Sequence, residues 1–400
     1  MEPKIIYRCV RRAHMNYVLI SPNFPPNFKQ FALRLRDDGI TVLGIGSDSY
    51  DSLDQELKNS LTEYYKVDDM GNYDQMLKAC AFLTFRYGKL DRIESHNEHW
   101  LLQDAKLRKD FNVFGLKPED TDTVKSKSKM KDVFRSSGIA VARGRVIGNF
   151  EEGKDLAIEV GYPMVAKPDS GVGASQTYKI DDESQLKEFF KDKPDMDYIF
   201  EEYIEGKIVT FDGFTDAAGE IVQTSSMSYS AGLMETVNEN LDSIFIVEKT
   251  IPKDLDEIGS NAIKAFGLKE RFFHLEFFRL KDGSLMALEI NARPPGGLCL
   301  DASNFASDSD IYKQYALTVA GKATEKIVER PYYSAFVGLK IHPVPPIHTM
   351  EDNRSALGAM VVYSAPNPPL FAPSMGEYAV ILRHVDLDEL RKGILFATER

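Results

Sequence analysis

The stretch 271–297, RFFHLEFFRLKDGSLMALEINARPPGG, constrains this chain more than any other, because its alternation and its turn together fix a geometry. Two β-rich runs flank Lys281–Ser284, and the Asp282–Gly283 pair predicts a two-residue type I′ hairpin. In that register Glu276 faces Glu289, His274 faces Asn291 and Phe272 faces Arg293. Successive side chains of a strand point to opposite faces. Phe273, Leu275 and Phe277 therefore form an apolar face with Met286, Leu288 and Ile290, while Glu276, Glu289, Asn291 and Arg293 share the other.

Directly opposed residues hold their Cβ atoms roughly 4.5 to 5.5 Å apart. Two carboxylates about 5 Å apart repel by about 3 kcal/mol at an effective dielectric near 20, so a compensating charge is required. A divalent cation supplies it: Glu276, Glu289 and the amide oxygen of Asn291 are hard oxygen ligands suited to Mg²⁺ or Mn²⁺, with the remaining positions left to water and phosphate oxygens. The alternatives are a protonated glutamate, or a pairing with Arg279 or Arg293.

Composition narrows the classes of function. With 49 basic and 61 acidic residues the net charge is −12, which argues against a nucleic-acid partner or an anionic membrane surface. Any phosphate must then be held by a local cluster of positive charge. Cys9, Cys80 and Cys299 are widely spaced and follow no metal-ligand pattern, which suits a reducing compartment. The N-terminal MEPKIIYRCVRRAH lacks the apolar core of a signal peptide, and no apolar run reaches a membrane span, so a cytoplasmic location is expected.

From Met15 the pattern is strand (MNYVLISP), helix (25–37), strand (ITVLGIGSD), helix (52–60), strand (YYKV), which is βαβ alternation and predicts a parallel sheet in an α/β fold. Gly44 and Gly46 follow a strand, but Ser49 stands where a dinucleotide fingerprint needs its third glycine. The hydrophilic run TDTVKSKSKMK (121–131) marks a boundary; Lys127 and Lys131 fall on one helical face, with Ser126 or Ser128 able to cap, and on their own they read as a solvated basic face. Next, YPMVAKP runs into a loop containing Ser170, Gly171, Gly173, Ala174 and Ser175, and then into SQTYKI. This is a hairpin flap rather than a P-loop, since no helix follows. Glycines let backbone N–H groups fold over phosphate oxygens, and Lys167 just before the turn adds a point charge. The strand DYIFEEYIEGK carries Glu201 and Glu202 ahead of Tyr203 and Ile204, where an apolar run is expected; an edge strand presenting backbone groups and a carboxylate to an adenosine explains that acidity.

In their order along the chain, the lysine ahead of IAVARG, the strand-Lys-Pro and glycine flap, EEYIEG, and E…EINARPPGG resemble the ATP-grasp superfamily of carboxylate-amine ligases over roughly 127–297. The resemblance implies a Rossmann-like preATP-grasp domain (1–122), a lid subdomain (123–205), a core with the Mg/ATP site (206–330) and a β-rich C-terminal subdomain (331–400). It also implies that Lys127 and Lys167 contact ATP phosphates under the flap 170–175, and that Glu201, Glu202, Tyr203 and Ile204 hold the adenine, with the Glu201 main chain accepting and Ile204 donating. Glu276, Glu289 and Asn291 match the magnesium ligands, and Arg293 matches the arginine that stabilises the transferring phosphoryl group. Two departures stand out: Ile208 occupies the place where many relatives carry a ribose-binding glutamate, and RPPGG has one proline more than usual.

The chemistry implied is transfer of the ATP γ-phosphoryl group to a substrate carboxylate and attack of an amine on the acyl phosphate, with no side-chain nucleophile. Small-molecule carboxylate and amine substrates and a homodimer are the expected partners. Two further classes stay open: a carboxylase-type enzyme using bicarbonate, and a nucleotide-binding regulator without turnover.

Overall fold

The alternation that begins at Met15 folds as a parallel sheet because its strands are apolar on both faces and its helices on one. The computed structural model describes residues 15–171, 176–325, 327, 329–341 and 343–400, and these divide into two compact units. The first comprises residues 15–95, Leu102–Gly115 and Tyr312–Ala323. Its strands β1 (Asn16–Ile20), β2 (Thr41–Gly46), β3 (Glu63–Lys66) and β4 (Arg92–Glu94) are parallel in the order β3-β2-β1-β4. Every residue of β1 is buried, and the crossover helix Lys29–Asp37 turns Phe31, Ala32 and Leu35 inward. Gly44 and Gly46 have a packing role: a Cβ on either would collide with the Tyr64 ring or hydroxyl, at 2.9 and 2.5 Å.

The second unit comprises His96–Leu101, Leu116–Ile311 and Thr324–Arg400. The ranges 123–205 and 331–400 fall wholly within it, as does 206–330 apart from Tyr312–Ala323. A small antiparallel sheet contains β5 (Gly144–Ile147), β6 (Met164–Pro168), β7 (Tyr178–Ile180) and β8 (Tyr198–Glu202) in the order β5-β8-β6-β7. Helices Phe150–Val160 and Glu183–Lys191 pack Leu156 and Leu186 onto it. Strand β8 pairs on both sides, so the edge strand expected from its acidic residues is an interior one.

The large sheet has nine strands: β9 (Lys207–Thr215), β10 (Ile221–Ser225), β11 (Met227–Tyr229), β12 (Ser243–Val247), β13 (Phe272–Arg279), β14 (Leu285–Asn291), β15 (Tyr333–Leu339), β16 (Val361–Pro366) and β17 (Tyr378–His384). Its order is β14-β13-β9-β11-β12-β15-β17-β16, with β10 on β9. The C-terminal strands thus extend the same sheet that carries the hairpin.

The hairpin has the expected pairing near its base by a different route. The connection is a three-residue loop, Lys281–Gly283, closed by Leu280 N–H to Ser284 O (2.9 Å) and Gly283 N–H to Leu280 O (3.0 Å), with Gly283 at φ +87°. That shifts the register at the tip, where Phe277 pairs with Ala287. A bulge at Leu288 then restores Glu276 opposite Glu289 and His274 opposite Asn291. The bulge exchanges faces, as a one-residue slip must: Ala287 joins the core with Phe277 and Ile290, and Leu288 lines the cleft described below. The polar run 121–131 is folded into helices Pro118–Lys125 and Lys127–Ser136, and Met130 and Phe134 of the second pack on that core.

Candidate active site

Three adjacent strands set a block of polar side chains in two rows. Asp212, His274 and Asn291 are paired across β9, β13 and β14, as are Thr210, Glu276 and Glu289. His274 is clasped at both nitrogens, by the Asp212 carboxylate at Nδ1 and by Glu276 Oε1 at Nε2 (3.0 Å). Thr210 donates to Asp212 and accepts from Met227 N–H (3.0 Å). Burial alone would lower the His274 pKa, but the Asp212 charge and bonds to both carboxylates raise it to about 10, so the ring is cationic at neutral pH. Asn291 donates its Nδ2 to Glu289 Oε1 at 3.1 Å. Burial opposes the Glu289 charge, yet Lys127 and Lys167 outweigh it and hold this carboxyl below its usual range.

The opposed glutamates are thus offset by His274 on one side and by lysines on the other. Neither pairing that the sequence offered is made. Arg279 pairs with Asp254 (2.6 Å), and Arg293 Nε lies 3.3 Å from Glu98 Oε2. Arg293 is further held by Nη1 to Pro294 O (2.9 Å) and Nη2 to Asn291 Oδ1 (3.4 Å). Glu98 is buried, and that burial raises its pKa against the Arg293 charge.

Facing this block is a cluster of lysines. Lys127 and Lys131 are not a solvated face; both are buried, as is Lys167. Glu201 bridges Lys131 (2.9 Å) and Lys167 (2.9 Å) with its two oxygens. Burial disfavours its charge, but Lys167 and Lys131 hold the carboxyl below its ordinary value. Burial pulls the Lys131 pKa down, whereas at Lys167 the Glu201 and Glu289 charges overcome burial and push it up. Lys127 Nζ reaches Gly171 O at 3.4 Å. Ser126 caps its helix, and Asp169, just past β6, accepts from Ser126 Oγ (2.6 Å) and Ser128 N–H (2.7 Å), which pins the helix start to the base of the flap. Ser170 forms an isolated bridge to Ser126; Gly173, Ala174 and Ser175 lie outside the described residues.

Lysines and glutamates line one cleft of about 860 Å³, together with Tyr203, Ile204, Phe278 and Leu288. Glu202 lines it too, but its carboxylate is occupied by Arg143 at Nε (2.9 Å) and Nη2 (2.6 Å). With Glu201 between lysines and Glu202 on arginine, β8 turns no unpaired carboxylate toward a ligand. The Ile204 N–H, just past β8, has no hydrogen-bond partner among the described residues, so a single main-chain donor is left for a flat heterocycle.

For a metal, Glu276, Glu289 and Asn291 bring two carboxylates and an amide to one face. No three His, Cys, Asp or Glu side chains among the described residues converge to hold one unaided. The donor set therefore fits a hard cation completed by phosphate oxygens and water.

Sequence reading missed Asp212, His274 as a support and Glu98, and it took Lys131 for a solvated cation. Asp212 and Lys131 had signals: an acid within the apolar run IVTFDGFT, and a lysine four residues after Lys127. Glu98 had none, since its partner is 195 positions away.

A sequence profile described as an ATP-grasp domain matches residues 160–302, from just before β6 to the start of helix Cys299–Ser307. That stretch is an ATP-grasp domain. An L-arginine-specific L-amino acid ligase of Bacillus subtilis is 25% identical over 242 residues, which is 58% of this chain and 58% of that relative, so the match covers less than two thirds of either. ATP-grasp architecture extends beyond the matched domain. An L-amino acid ligase from Bacillus licheniformis superposes with TM-score 0.73 at 13% identity, covering 95% of this chain and 96% of that one. The biotin carboxylase domain of 2-oxoglutarate carboxylase from Hydrogenobacter thermophilus, solved as a dimer with MgADP and bicarbonate, superposes with TM-score 0.69 at 18% identity over 94% and 89%. At these identities the superpositions establish the fold. No helix among the described residues is long and apolar enough to cross a membrane.

Proposed function

We propose that this chain is an ATP-dependent, ADP-forming ligase that activates a substrate carboxylate as an acyl phosphate for attack by an amine. The observation that carries it is the joining in one cleft of Lys127 and Lys167 with the Glu276–Glu289–Asn291 face. That is cation and cation-ligand chemistry on two sides of a triphosphate. Lys127 and Lys167 hold the phosphates, and residues 201–204 receive the adenine, with Ile204 N–H donating to a ring nitrogen. Glu276, Glu289 and Asn291 hold Mg²⁺, which when bound neutralises phosphate charge.

Arg293 places its fork where charge builds on the transferring group, held in position by Glu98, Pro294 and Asn291. The bond from the γ-phosphorus to the bridging oxygen of ADP breaks as the carboxylate oxygen bonds to phosphorus. The amine then forms the C–N bond, and phosphate leaves. Positioning and charge do the work, with no side-chain nucleophile.

Likeness to amino acid ligases favours amino-acid substrates. The test is phosphate release across a panel of amino-acid pairs with ATP and Mg²⁺: pair-dependent ADP and phosphate in equal amounts support the reading, and ATP turnover that ignores every pair overturns it. The likeness to 2-oxoglutarate carboxylase keeps one second reading, bicarbonate as the carboxylate, which biotin- and bicarbonate-dependent turnover would reveal. A homodimer and a cytoplasmic location are proposed on the same likenesses and on buried, free Cys80 and Cys299; sedimentation checks the first and fractionation the second.

A further inference from the structure

We infer that the cavity lined by strand β10, the start of helix Lys253–Phe266 and the stretch 325–330 is a second binding site, which takes an apolar α-amino acid as its zwitterion. The inference does not rest on the nucleotide reading: the cavity shares no lining residue with the cleft described above, and all of its lining lies in the second unit. It measures about 1090 Å³ and is open to solvent. Strand β10 pairs with β9 alone among the strands, and its register shifts at Val222 in a bulge, a feature that re-aims side chains at a sheet edge. The stretch 325–330 is tied to β10 by side-chain bonds: Gln223 Nε2 donates to Glu325 O at 3.1 Å, and Arg330 Nη2 donates to Thr224 O.

Three charged side chains line this cavity, Arg330, Asp256 and Glu329. Arg330 is only 5% exposed, and its bond to Thr224 O is the one hydrogen bond of its guanidinium among the described residues; Nε is buried with no acceptor. Burial pushes its pKa down to about 10 against the charge of Asp212, a carboxylate already spent on His274. Arg330 is therefore a cation withdrawn from water with no carboxylate bonded to it, a costly arrangement that a bound carboxylate relieves. Asp256, in the first turn of its helix, and Glu329, next to Arg330 in the chain, have no hydrogen bond or ion pair to their carboxylates among the described residues. A plain anion here would gain one cation and meet two carboxylates, and a plain amine would gain the carboxylates and meet the guanidinium. A molecule that carries both charges satisfies all three groups. Ile221, Ile251 and Ile327 also line the cavity, the first two packed on the core of the unit, so the side chain that fits beside the charges is apolar.

L-leucine is titrated calorimetrically into the full chain without nucleotide, beside isocaproate, which lacks the ammonium group, and isoamylamine, which lacks the carboxylate. The parent is expected to bind leucine about tenfold or more tightly than either, the scale of one hydrogen bond to a charged group. Asp256→Asn, at an exposed position, is expected to weaken leucine by about tenfold and leave isocaproate unchanged, whereas Arg330→Met weakens both. Leucine binding that Asp256→Asn leaves unchanged overturns the inference, because the amino acid is then held elsewhere. A parent that binds the three probes equally, or binds none of them, overturns it as well. Thermal melts show that the variants are folded; if Arg330→Met does not fold, the ranking of the three probes and Asp256→Asn decide the matter. The nucleotide reading survives every one of these results, since no nucleotide is present.

Discussion

The lysine cluster and the carboxylate rows lie in one cleft and solve their charge problem in different ways. Glu201 closes the cluster internally, each of its oxygens on an ammonium group at 2.9 Å. The rows stay open: Glu276 and Glu289 face each other, one supported by His274 and the other by an amide and by lysines that it does not touch as a pair. A closed cluster can be built before any ligand arrives and fixes where Lys167 points. An open one keeps carboxylate oxygens for something else to bind. The difference separates a scaffold from a receptor, even though both gather charge in the same cleft.

The sharpest way to break that contrast is Glu201→Ala. It leaves two buried ammonium groups facing each other and should cost about 3 to 5 kcal/mol of stability, as breaking a buried ion pair from one side does; a urea midpoint close to the parent's would show that the cluster is not structural. Next in size is Arg293→Lys. Losing the bidentate fork while keeping the charge should lower turnover by about 10² to 10³, roughly 2.7 to 4 kcal/mol, with nucleotide affinity little changed. If affinity falls together with rate in paired titration and turnover assays, Arg293 anchors the ground state instead.

A smaller effect is set by pH. The Glu201 carboxyl is held below its usual 4.5, so its contribution to stability is complete above about that pH and disappears as pH falls through the depressed native value. The gap in melting temperature between the parent and Glu201→Gln should be constant near neutrality and narrow under acid. A gap that instead narrows as pH rises would contradict the sign. The smallest effect is the stability change of Glu289→Gln, which loses the accepting charge for Asn291 and the pull of two lysines but no buried pair; about 1 kcal/mol is expected, far less than at Glu201.

Legibility in the sequence followed the range of the forces. The βαβ alternation, the hairpin and the opposition of Glu276 to Glu289 are local consequences of periodicity and turn chemistry, and all are present. Even there the turn gained a residue and β14 a bulge; Asp-Gly serves a three-residue loop as well as a two-residue one, and nothing local to Leu288 announces a bulge. What composition could not convey was burial. Lys127 and Lys131 read as solvent-facing because the carboxylate that accepts Lys131 lies 70 residues further on, and β8 read as an edge because its acidity is explained by lysines from other elements. The three-way support His274–Asp212–Thr210 depends on β9 lying beside β13, a pairing that no motif encodes.

The open rows are proposed as the receptor for Mg²⁺ and nucleotide. The direct measurement is the thermal stability of the parent and of Glu289→Gln with ATP, with Mg²⁺ or with a chelator in its place. At nucleotide concentrations about 100 times Kd the parent should gain about 2.7 kcal/mol, most of it only when Mg²⁺ is present. Glu289→Gln should fold nearly as well, yet show little Mg²⁺-dependent gain and no turnover. A variant that keeps both the full Mg²⁺-dependent stabilisation and the parent's turnover would contradict the assignment of Glu276, Glu289 and Asn291 as the metal face.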